Sequence, residues 1–144
     1  MKTSHRQAIG IATLSACSFF FGFFTYLGIE KCYKRFISRS ATHWTMGLIA
    51  GLSFLFLLAL DKKKMPLCLK ALAGGAFITL FELVFGFILN LHYHLNVWDY
   101  RQNFGNFKGQ ICPLFSLIWC LFSFAVIAIN RLFWLLYRKT PFCR

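Results

Sequence analysis

The chain has 144 residues, of which 58% are hydrophobic and 14% charged, and it carries a net charge of +12. A soluble domain of this size would be about half apolar and about a quarter charged, so a water-soluble fold is excluded and lipid is the expected solvent. Nucleic-acid binding is excluded as well, because the Lys and Arg residues fall between apolar runs, where they orient spans and meet anionic headgroups.

The expected fold is an all-α membrane protein: about four transmembrane helices in a small bundle, with a polar, aromatic loop between the third and fourth. Residues 1–144 form a single integral membrane domain, with spans near 8–29, 44–60, 67–91 and 110–130 and a basic interfacial tail at 131–144. The first run, Ala8 to Ile29, follows Lys2 and Arg6 and precedes Glu30, Lys31, Lys34 and Arg35. It outlasts the roughly 7–15 apolar residues of a signal peptide. The second run starts at Trp44, an interfacial anchor, and is stopped by Asp61-Lys62-Lys63-Lys64. Gly47 and Gly51 form a Gly-x-x-x-Gly pair that would let a neighbouring helix approach.

The third run follows Pro66 and carries Glu82 near its middle. Its apolar part from Ala71 to Leu91 is about 21 residues, or roughly 31 Å as a helix, enough to span a bilayer. A charge at the centre of such a helix costs about 2.5–3.5 kcal/mol on insertion scales. Two uses of Glu82 are open: a protonated side chain bonding between helices, or a proton or cation site on a polar path. Gly86 lies one turn away on the same face. Ser116, Trp119, Cys120 and Ser123 of the fourth span are candidate partners at similar depth, as are Ser15 and Ser18 of the first and Ser53 of the second. Lys70, too distant to pair with Glu82, is expected to snorkel to the headgroups.

Between the last two runs lie His92, His94, Trp98, Asp99, Tyr100, Arg101, Asn103 and Asn106. The loop is either a cap that anchors the hairpin or a recognition segment at a span entrance. Asn106 is placed to cap the helix that opens near Gly109, and Asp99 would be favoured near its positive end. Pro113 suits the first helical turn. The tail, with Trp134 and Tyr137, either prolongs the fourth helix or lies flat in the interface.

No metal or cofactor site is expected. His92 and His94 lack a third ligand, and the six cysteines include no Cys-x-x-Cys pair. No phosphate-binding Gly-rich loop, Ser-His-Asp set or paired carboxylates point to an enzyme. With both termini cytoplasmic, the inner segments hold ten Lys and Arg against six outside, a modest bias toward that orientation in the cell membrane.

The stretch from Phe81 to Trp119 resembles the family named putative ABC-transporter type IV. The resemblance rests on Glu82 in a span, Trp98-Asp99-Tyr100, Asn106, Gly109-Gln110-Ile111-Cys112, and Ser116-Leu117 with Trp119. Arg101 stands where the family has serine, Phe104-Gly105 replaces its Pro-Phe, and Pro113 replaces leucine. Between the first two spans its Asn-Arg-Gly and Gly-Pro signatures are mostly lost. The resemblance implies a permease-like membrane subunit that works as a homo-oligomer or with a separate ATP-binding subunit. The alternative is a non-transporting regulatory, lipid-binding or assembly factor. The candidate site is Glu82, Trp98, Asp99, Tyr100, Asn106, Gly109, Gln110, Ser116 and Trp119, and Gly47, Gly51 and Gly86 are the candidate helix-packing positions.

Overall fold

The protein is described by a computed structural model covering residues 2–38 and 42–138, with the backbone alone at 2–8 and 37–38. Four α-helices follow in order: α1 (Lys2–Tyr33), α2 (Trp44–Asp61), α3 (Leu67–Gly86) and α4 (Pro113–Arg138). α1 ends in a π-helical segment, Lys34–Ser38, and α3 in another, Phe87–His92. No strand occurs among the described residues. Arg39, Lys139 and Arg144 of the orientation count, and the end of the expected tail, lie outside the described residues.

Three stretches are long and apolar enough to cross a membrane: Ile9–Phe36, Leu67–His92 and Pro113–Arg138. The chain is therefore a multi-pass membrane protein. α2 is the short one. Its 18 residues reach about 27 Å, just under a hydrocarbon core of about 30 Å. Its position explains why a short helix serves. α2 packs against α1, α3 and α4, and ten of its residues are buried. Large side chains on the other three, such as Phe20, Phe24, Leu80, Leu117, Leu121 and Leu132, point outward as a lipid-facing surface must.

The helices pack as two hairpins, α1 with α2 and α3 with α4. In the first, glycines receive aromatic rings. Gly22 lies against Phe54 and Gly51 against Phe19, while Gly47 receives Phe23 and Leu27. The Gly47–Gly51 face thus meets bulky side chains of α1 and not a close helix backbone. In the second hairpin the backbones do approach closely. A Cβ on Gly75 would sit 2.7 Å from the Cys120 backbone nitrogen, and one on Gly74 2.5 Å from Ser123 Oγ.

Polar side chains tie the hairpins together. Ser18 Oγ of α1 donates to Asn130 Oδ1 of α4 at 2.6 Å, and Asn130 Nδ2 donates to the Phe54 carbonyl of α2 at 3.3 Å. At the end of the bundle where α2 meets α3, Arg131 grips Asp61 with both Nε and an NH2 group, at 2.8 and 2.7 Å. Lys70 is only 4% exposed and does not snorkel. Its ammonium binds the Asp61 carboxylate at 2.8 Å and the Asp61 carbonyl at 2.6 Å, because a partner on α2 lies nearer than the headgroups. α4 runs straight on through Trp134 and Tyr137 to Arg138, so the described part of the tail prolongs the helix.

Candidate functional site

Glu82 sits midway along its span and is only 2% exposed. Its two carboxyl oxygens face different partners. Oε1 accepts from Tyr100 Oη at 2.8 Å and Oε2 from Trp119 Nε1 at 2.7 Å. The indole N–H can only donate, whereas the phenol can donate or accept. The pair of contacts therefore suits either protonation state of the carboxyl. The Phe115 ring stacks on Tyr100 with centroids 4.5 Å apart, and Tyr26 of α1 approaches Trp119 at 6.2 Å. Beside Glu82 lies a cavity of about 20 Å³, lined also by Tyr26, Ser53 and Trp119 amid apolar side chains. That is room for one water molecule.

Of the partners expected from the sequence, only Trp119 reaches Glu82. Ser53, Ser116 and Ser123 each donate to the backbone carbonyl four residues earlier, at 2.7, 3.0 and 2.8 Å. A serine inside a helix has that acceptor always at hand.

The second partner arrives from the loop, which enters the bundle. Val97, Trp98, Tyr100 and Gln110 are all buried. Asn90, in the π-helical end of α3, organises them. Its Oδ1 accepts from the Val97 N–H at 2.6 Å, and its Nδ2 donates to the Trp98 carbonyl at 3.0 Å and to Gln110 Oε1 at 2.8 Å. A single π turn re-aims a side chain relative to an α-helix, and such turns recur at functional sites. Gln110 passes the contact on, since its Nε2 donates to the Lys108 carbonyl and its own carbonyl accepts from Trp98 Nε1 at 3.0 Å. The Tyr100 N–H binds the Gly109 carbonyl at 2.8 Å. Gly109 has φ +72°, and a Cβ there would lie 2.9 Å from Asp99 Oδ1. Gly86 makes room for Gln110, whose Oε1 would be 2.5 Å from an added Cβ.

The remaining expected residues stand apart. α4 starts at Pro113 and not at Gly109, so Asn106 does not cap it. Asn106 instead closes a turn: its Oδ1 accepts from the Gly109 N–H, and its Nδ2 donates to the Arg101 and Asn103 carbonyls. Asp99 points outward and pairs with Arg101 at 2.6 Å. The Arg101 guanidinium holds the Asp99 carboxyl below its ordinary range. Asn90 and the Glu30–Lys34 pair, with Lys34 bound to the Val97 carbonyl at 2.8 Å, were not singled out from the sequence. The one signal for Asn90 was a lone amide in an otherwise apolar turn.

A mid-span carboxyl held between a capping loop and a neighbouring helix defines a small polytopic helical membrane protein with a polar centre. The family described as "Putative ABC-transporter type IV" matches residues 17–140, and the chain belongs to it. No curated protein and no solved structure matches the chain.

Proposed function

We propose that the chain is a permease-like subunit of the cell membrane, with Glu82 as its proton- or cation-binding group. It would work as a homo-oligomer or with a separate ATP-binding subunit, and would itself carry no enzymatic activity. The observation that supports this is Glu82 itself: a carboxyl midway through a span, beside a cavity with room for a water. Intramembrane carboxyls in such settings serve ion and proton paths. The family name supports a relation to ABC transporters, and the basic flanks favour termini in the cytoplasm.

The test uses vesicles that carry the purified protein, with any ATP-binding subunit that co-purifies, and enclose a pH-sensitive dye. An imposed proton gradient should collapse faster than in protein-free vesicles, and Glu82→Gln should abolish the difference while remaining folded. A variant as active as the wild type removes Glu82 from the role. The second reading, a non-transporting lipid-binding or assembly factor, is favoured by one observation: both Glu82 oxygens already have partners, as a purely structural carboxyl would. Co-purified lipid with neither partner nor flux is its expected signature.

A further inference from the structure

A second acidic side chain lies buried toward the capped end of the bundle. Glu30, on α1, is 7% exposed. Its Oε1 binds Lys34 Nζ at 2.7 Å, but among the described residues its Oε2 has no hydrogen-bond partner. A buried carboxyl oxygen without a partner is costly and calls for a use. Tyr26 lies one helical turn before Glu30 on the same face. The Tyr26 hydroxyl is within electrostatic reach of both Glu30 and Glu82, and Tyr26 lines the cavity beside Glu82. The groups facing Glu30 are Tyr26 and Lys34 from its own helix and His43 from the segment before α2; the loop carbonyl of Val97 holds Lys34 from the far side.

We propose that Glu30 is a second proton-binding carboxyl, and that protons pass between the capped face and Glu82 through Glu30 and Tyr26. This rests on Glu82 being a proton-exchanging group. The transfer balances without any redox partner. The O–H bond at Glu30 Oε2 breaks, and its proton goes to the Tyr26 hydroxyl oxygen. The Tyr26 hydroxyl gives its own proton to a Glu82 oxygen, directly or through a water in the cavity that both residues line. Each carboxyl oxygen of Glu82 has two lone pairs, so the donors Tyr100 and Trp119 leave an acceptor position open. Lys34 holds the other Glu30 oxygen and keeps Oε2 turned away from itself.

The test is infrared spectroscopy of the full chain in lipid, following the protonated-carboxyl band assigned to Glu82 by its loss in Glu82→Gln. After a switch from H2O to D2O, the rate at which this band shifts reports proton access to Glu82. Tyr26→Phe and Glu30→Gln should each slow it roughly a hundredfold, the scale of a lost proton-transfer group. If Glu30→Gln folds poorly because Lys34 loses its partner, the double variant Glu30→Gln with Lys34→Met removes both charges and should be equally slow. Wild-type exchange rates in Tyr26→Phe and in the folded Glu30 variant overturn the route while leaving Glu82 as a proton site. Absence of any Glu82 band at every pH overturns the underlying reading instead.

Discussion

Two donors, one from the loop and one from α4, converge on Glu82, and each is separately testable. Trp119 can be replaced by Phe with its ring packing largely kept, and Tyr100 by Phe with almost no change in shape. Either exchange leaves one buried carboxyl oxygen short of a donor, a deficit of about 1–3 kcal/mol. Thermal unfolding in detergent should show both variants destabilised, and Glu82→Gln less so than either, since an amide still offers an acceptor. The glutamate was legible from sequence because a lone acid in a long apolar run is conspicuous on grounds of cost alone. Its partners were less so. Equal depth suggested seven side chains on the neighbouring helices, and all but Trp119 are serines or a thiol, weaker or otherwise engaged. Tyr100 could not be placed by depth, because nothing in its spacing says that an excursion of ten positions beyond Asn90 turns back into the bundle.

The element that turns it back is the π-helical end of α3. The wider i→i+5 turn there aims Asn90 inward, where it holds both arms of the loop at Val97, Trp98 and Gln110. Asn90→Ala would orphan an N–H, a carbonyl and an amide together. Expected is a loss of about 3 kcal/mol, from several unsatisfied buried groups, and faster proteolysis between residues 93 and 112 than in the wild type. Gly109→Val should act in the same region by another cause. A β-branched residue at φ +72° is strained, and its Cβ collides with Asp99, so the loop should loosen while the helices persist by circular dichroism. From sequence, the loop's existence and its Trp-Asp-Tyr content were plain. Its tether was not, since a π turn leaves no pattern in hydropathy.

Over the whole molecule, membrane character, helix count and hairpin order follow from run lengths and their basic flanks. What hydropathy could not resolve is rank among the helices. α2 is apolar enough to pass for another lipid-facing span, yet it is the helix the others surround, and its shortness is the visible trace of that. The pin at the end of α2 belongs to this scale, because Asp61 joins three helices through Lys70 and Arg131. Asp61→Asn leaves the buried ammonium of Lys70 without its counter-charge, a loss of about 3–5 kcal/mol. Adding Lys70→Met should restore much of it, and denaturation of the two variants side by side checks the difference. Equal stability of single and double variants would mean that the ammonium finds another partner.

The Trp119 contact bridges 37 positions of sequence, and this bears on how the chain is made. When α3 first leaves the ribosome and meets the insertion machinery, neither Tyr100 nor Trp119 has emerged with it. Its acid then faces lipid or translocon alone, at the full insertion penalty. α3 is thus expected to linger at the translocon until α4 emerges, so that the second hairpin enters the bilayer as one unit. Chains truncated after residue 92 and released from the ribosome should remain extractable or be degraded, whereas chains that run through residue 138 should integrate.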